Sequence, residues 1–227
     1  MAGRIEPRPH SLSPRALAIA GWVAFVVAGF AFITLAWNVA AHDTIVDIDL
    51  AVTRWLQAHR VAPLTAMMLA VTHANSLAAI GLWSAAFAAI LWRMGERYWI
   101  LTLVAAVAGG MILNGILKVA YERARPAAES ALVTLSTYSF PSGHTAAATT
   151  FYGVLAAFMV TRFNDHTRRA ACVAAAGIAI GVVAFSRVYL GAHFMSDVVA
   201  AACSALAWLV LCLSTGRALV HRREAMR

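Results

Sequence analysis

Three short stretches carry side chains that could bind and move a phosphoryl group. In the first, Lys118 and Arg125 stand seven residues apart and Pro126 follows. Seven residues make about two helical turns, so on a continuing helix both cations share one face before the proline ends it. The second stretch is Pro141, Ser142, Gly143 and His144, just ahead of an apolar run. A proline near the start and a serine that can cap place it at a helix N-terminus. Unpaired N–H groups and the positive dipole end make such a terminus a natural anion site. The third stretch holds Ser186, Arg187, His193 and Asp197. His193 and Asp197 are i, i+4 neighbours at the start of a helix, so the carboxylate can hold one imidazole nitrogen and leave the other free to attack. Together, three cations and a helix terminus suit a dianionic phosphate, and two histidines add a nucleophile and a proton donor. Phosphoryl transfer asks for little beyond positioning and charge neutralisation. The 10 acidic residues are scattered, so no carboxylate cluster is expected to hold a metal, and no cofactor is called for.

Taken singly, these residues have plainer readings. Lys118, Arg125 or Arg187 alone would be a cation snorkelling from a helix end. The loop histidines His10, His59, His166 and His221 read as surface groups, and His73 beside Asn75 as a helix-packing hydrogen bond. Asp197 resists a plain reading, because an unpaired acid inside an apolar span costs a few kcal/mol. It wants a partner, and His193 is one turn away.

The elements that must position these groups follow from composition. Of 227 residues, 62% are hydrophobic and 12% charged, against roughly 45–50% and about 25% in a soluble domain. That balance excludes soluble, disordered, collagenous and disulfide-scaffold classes. Stretches free of Asp, Glu, Lys and Arg run over 16–42, 61–92, 98–117, 145–161, 170–186 and 198–216. A spanning helix needs about 20 mostly apolar residues. The expected fold is therefore all-α: a polytopic membrane helical bundle of six transmembrane helices. One domain over 16–216 would lie between cytoplasmic tails at 1–15 and 217–227. The 61–92 run is too long for one upright span, and its polar interruption Thr72–Ser76 predicts a break, with a re-entrant or interfacial piece before a span at 77–92. Within 43–60, Ile45, Ile48, Val52, Trp55 and Leu56 recur at helical spacing opposite Asp47, Arg54 and Gln57, which predicts an amphipathic interfacial helix. Gly177 and Gly181 form a small-xxx-small pair that could admit a neighbouring helix. The three cysteines Cys172, Cys203 and Cys212 lie within spans and read as small core residues.

Arginine and lysine favour cytoplasmic loops. The two tails with the 93–97 and 162–169 loops hold 12 of the 18 basic residues, and the alternate loops hold six. Both termini are thus expected inside, with the three reactive stretches on the outer face. After acids are counted, the inner set nets +8 and the outer set zero. The basic excess is an orientation signal and gives no reason to expect nucleic acid as a partner.

In order along the chain, K-x6-R-P over 118–126, P-S-G-H over 141–144 and S-R-x5-H-x3-D over 186–197 resemble the signature motifs of the type-2 phosphatidic acid phosphatase family, the lipid phosphate phosphatases. That family shares its site with vanadium haloperoxidases and bacterial acid phosphatases. The resemblance implies a metal-independent hydrolase of lipid phosphates or diphosphates working through a phosphohistidine. His193 would attack phosphorus while Asp197 holds its other nitrogen. His144 would protonate the leaving oxygen and then activate water. Lys118, Arg125, Arg187, Ser142 and the Gly143 backbone would hold the phosphoryl oxygens. Arg123 and Tyr121 fall outside the motifs and would either pack behind the site or face lipid. Compact members of the family act on undecaprenyl diphosphate, phosphatidylglycerophosphate or phosphatidate. The expected setting is a bacterial cytoplasmic membrane, with a lipid phosphate as substrate and membrane lipids as surroundings. A phosphotransferase with the same phosphohistidine and a non-catalytic transporter are the alternatives.

Overall fold

The computed structural model describes residues 14–41, 43–126, 131–133 and 137–225, with side chains described between 18 and 215. The expected tails at 1–15 and 217–227, with His10 and His221, lie outside the residues whose side chains are described. Among the described residues there are eight helices and no strand: α1 (Pro14–Ala40), α2 (Thr44–Ala58), α3 (Ala62–Ala74), α4 (Leu77–Arg93), α5 (Arg97–Tyr121), α6 (Gly143–Arg162), α7 (His166–Tyr189) and α8 (Met195–Ala225).

Helix α6 lies at the centre, packed against α4, α5, α7 and α8, while α1 lies along α8. The main core joins Ile80, Phe87 and Leu91 of α4, Trp99 and Leu103 of α5, Phe151, Val154 and Phe158 of α6 and Leu209 of α8. Phe158 stands edge-to-face with both Phe87 and Trp99, the T-shaped geometry that aromatic quadrupoles favour. Smaller buried clusters flank this core, and many other apolar residues point outward. Trp22, Val26, Phe30, Ile33 and Trp37 of α1 are exposed, as are Leu101, Ile112 and Ile116 of α5. A surface that apolar would aggregate in water and is matched by lipid tails.

Among the described residues, four helices are long and apolar enough to cross a membrane: α1, α5, α7 and α8. The α3–α4 pair makes a fifth if its 54° bend is taken as one broken span. The break falls at Asn75 and Ser76, inside the polar interruption, where the Ser76 hydroxyl accepts the Ala79 N–H and restarts the helix. The sixth expected span, α6, falls short of that apolar threshold. The physical reason is its enclosure. Thr145, Thr149 and Thr150 are buried against protein, and Thr149 and Thr150 donate to α6 carbonyls one turn back, so this helix need not match lipid.

Several local expectations need correction. The glycine pair at 177 and 181 meets nothing within 4 Å; close approach is instead made at Gly109, where an added Cβ would stand 2.6 Å from the Trp208 ring. Helix α5 does not continue to Arg125. It stops at Tyr121, with Glu122 in the left-handed region at φ 44, so Lys118 is on the helix and Arg125 on the loop beyond. Helix α7 runs through Arg187, which is a last-turn residue and not a loop residue. Helix α8 starts at Met195, so His193 precedes it.

Candidate active site

All eight residues picked out from the sequence collect at one end of the bundle. Lys118, Arg125, Gly143, His144 and His193 line a single cavity of about 400 Å³, together with Leu77, Met111, Asn114 and Thr137. The C-terminus of α5, the N-terminus of α6, the C-terminus of α7 and the N-terminus of α8 meet there. Successive antiparallel helices bring alternate ends to one face, which is why motifs spread over 80 residues converge.

Asp197, fully buried, accepts four hydrogen bonds. One oxygen takes Arg123 Nη1 at 2.5 Å, and the other takes the Ser139 hydroxyl, the Phe194 N–H at 2.9 Å and His193 Nδ1 at 3.4 Å. The Phe194 bond is half of a capping box, with an acid in the first turn reaching back to the residue ahead of the helix. This bond closes the His193–Asp197 pair even though His193 is not helical. With Nδ1 facing the carboxylate, Nε2 points away, 3.3 Å from Arg125 Nη1. Burial, with Arg125 and Arg187 nearby, lowers the His193 pKa from 6.5 to about 4, outweighing the upward pull of Asp197. The imidazole is therefore neutral, as a nucleophile must be.

The cations are held in place by backbone. Lys118 Nζ donates to the Tyr138 carbonyl at 2.5 Å. Arg125 donates through Nε to Thr137 O at 2.6 Å and through Nη1 to Ala192 O at 2.6 Å. Arg187 is 1% exposed, which disposes of snorkelling. Its Nη1 donates to the Thr72 hydroxyl, while Nε and Nη2 are buried without a hydrogen-bond partner among the described residues. Buried donors left unpaired cost about 1–3 kcal/mol each, so two of them on one guanidinium beside the histidines suit an anion. Ser142 occupies the N-cap of α6 as expected, but its hydroxyl accepts from Thr145 Oγ1 at 3.1 Å in place of a backbone N–H. Its own N–H donates to the Asp197 carbonyl at 3.1 Å, tying the α6 and α8 termini together.

The sequence reading assigned no place in the site to Thr72, Asn114 or Ser139. Thr72 holds Arg187 from the α3 break, Asn114 donates to Pro141 O at 3.4 Å, and Ser139 holds Asp197. None carries a charge or a periodic signal that would have marked it. Asp49 was also missed, although it did leave a signal. It lies on the apolar stripe of α2, four residues after Ile45 and three before Val52, where an acid needs a partner. Among the described residues no group of three or more His, Cys, Asp or Glu is gathered as a metal site.

The sequence matches the PAP2 superfamily model over residues 99–220, more than half of the chain. This chain belongs to the PAP2 superfamily. Over 90 residues the PAP2 chain is 41% identical to phosphatidylglycerophosphatase B of Bacillus subtilis (strain 168), covering 38% of this chain and 43% of that protein. The match thus spans less than half the length of that relative. In three dimensions the chain is similar to the crystal structure described as the first transmembrane PAP2 type phosphatidylglycerolphosphate phosphatase from Bacillus subtilis. The TM-score is 0.77 at 27% identity, over 84% of this chain and 94% of that one. Aquifex aeolicus LpxE shares the fold, with TM-score 0.60 at 23% identity over 73% of this chain and 94% of its own.

Proposed function

We propose that this PAP2 protein is an integral-membrane phosphatase that hydrolyses lipid phosphate esters through a phosphohistidine on His193, without a metal. The observation that carries the reading is the single cavity where a carboxylate-held neutral histidine, a second histidine and two cations, Lys118 and Arg125, meet. His193 Nε2 forms a bond to phosphorus as the bond to the lipid oxygen breaks, and His144, which takes up a proton as the anionic phosphate enters among the cations, gives that proton to the leaving oxygen. Water then attacks phosphorus, His144 takes its proton, the N–P bond breaks and inorganic phosphate leaves. Lys118, Arg125, Arg187, Ser142 and the Gly143 N–H neutralise the phosphoryl oxygens throughout.

The charge inventory favours a phosphomonoester over a diphosphate. Of the six basic residues at this end, Arg123 is engaged by carboxylates, Arg54 lies exposed on α2 and Arg60 is not among the cations whose charge acts on His144 and His193. Lys118, Arg125 and Arg187 remain, enough for one phosphate. The names of the two Bacillus subtilis proteins above agree with a phosphatidylglycerophosphate-type substrate. A transporter would carry its charges along the bundle centre, which here is aromatic and aliphatic.

The domain is taken as 16–216, with α6 as a sixth span. Its 20 residues extend about 30 Å, the thickness of the hydrocarbon layer. Helix α2 would lie in the interface, and the site would face outward from a bacterial cytoplasmic membrane. The test is phosphate release by purified protein from phosphatidylglycerophosphate, phosphatidate and a polyprenyl diphosphate. His193→Ala and His144→Ala should each abolish turnover; full activity in either would end the proposed mechanism. Transfer of label to an added alcohol in preference to water would instead identify a phosphotransferase.

A further inference from the structure

Behind the site lies a chain of charges that the proposed reaction does not itself use. Arg123 follows the end of α5 and is 10% exposed. Its guanidinium bridges two carboxylates that are fully buried. Nη1 meets Asp197 Oδ1 at 2.5 Å and the Ser196 hydroxyl at 2.8 Å, and Nη2 meets Asp49 Oδ2 at 2.8 Å. The plane also lies over the Phe194 ring, 4.4 Å from its centroid. Asp49, on α2, in turn accepts the Ser196 N–H at 2.9 Å and the Ser196 hydroxyl. It therefore holds the first turn of α8, from which Asp197 projects.

We propose that Arg123 and Asp49 are positioning residues for the nucleophile: they clamp Asp197 so that one oxygen is held by arginine and the other is presented to His193. The reasoning is geometric and electrostatic. Asp197 has two oxygens and must aim one at Nδ1. Arg123 occupies the far oxygen from a rigid fork, and so fixes the rotation of the carboxylate. Arg123 also sets its positive charge against Asp197 at 2.5 Å, and a charged Asp197 is what stabilises a histidine as it takes up phosphorus. Asp49 holds Arg123 from the side away from the site and anchors Ser196, so α2 supports the reacting end of the molecule.

This rests on the phosphatase reading, and the experiment keeps the two apart. Purified wild type, Arg123→Gln, Arg123→Lys, Asp49→Asn and His193→Ala are assayed on one lipid phosphate, with kcat and KM measured separately. Arg123→Gln should lower kcat on the order of 10–100-fold with KM changed less than about threefold, because supporting partners of a carboxylate–histidine pair act on reactivity and not on ground-state binding. Arg123→Lys, which keeps the charge but loses the fork, should recover part of that loss. Asp49→Asn should lower kcat less than Arg123→Gln, again at constant KM, and it serves as the measurement if Arg123→Gln does not fold. Wild-type kcat in Asp49→Asn or in Arg123→Gln would overturn the inference. So would a loss confined to KM, which would place Arg123 on the substrate. Absence of turnover in wild type would instead overturn the phosphatase reading.

Discussion

His193 is a buried base whose surroundings pull its proton affinity in opposite directions. Burial and two arginines lower its pKa to about 4, and the Asp197 pair only partly restores it. In the proposed reaction the neutral ring attacks, so protonation would remove the nucleophile only as pH falls through about 4, and the neutral ring would persist across the whole neutral range. The acid limb of kcat/KM reports free-enzyme groups. Corrected for the second ionisation of the substrate phosphate, it should lie well below 6.5. A limb centred near 6.5 would mean that the ring behaves as if in water and that its burial does not shape the chemistry. Among individual residues, charge made legibility. Every cation and acid of the motifs stood out against an apolar background. Thr72 and Ser139 did not, because a neutral hydroxyl on an apolar helix or loop has no sequence signature until its partner is known.

Helix contact in lipid draws little on the hydrophobic effect, since lipid tails are as apolar as leucine. Close packing and buried hydrogen bonds hold the elements together. Gly109 shows how tight this is. An added methyl would stand 2.6 to 3.2 Å from three atoms of the Trp208 indole, whose N–H donates to Ala105 O at 3.1 Å and so cannot swing away freely. Gly109→Ala should therefore destabilise the protein by about 1–3 kcal/mol. At Gly177 nothing lies within 4 Å, and Gly177→Ala should be neutral or stabilising by up to about 1 kcal/mol. Thermal unfolding in detergent compares the two; equal shifts would refute the assigned α5–α8 contact. Spacing alone had pointed to the wrong glycines, because a small-xxx-small pair shows that a helix could be approached and says nothing of which helix approaches it.

For the whole molecule, the two ends of the bundle differ in charge, and they are also built differently. Opposite the site, Glu96 pairs with Arg162 across the ends of α5 and α6. If the arginine bias sets orientation, Met94 lies inside and Leu132 outside. Both are exposed. With the three native cysteines replaced, Leu132→Cys in intact cells should react with a membrane-impermeant thiol reagent and Met94→Cys should not; the reverse labelling would move the site to the cytoplasm. The sequence by itself determined the membrane class, the all-helical fold, the break near Ser76 and the identity of the charged site residues. Each of these follows from local composition or from types that are costly in an apolar setting. Only the tertiary structure decided that α5 ends before Arg125, that Arg187 is buried with two unpaired donors, and that Asp49 and Arg123 stand behind Asp197. The last two facts depend on residues more than 70 positions apart coming within hydrogen-bond distance, and no local pattern records which of them will meet.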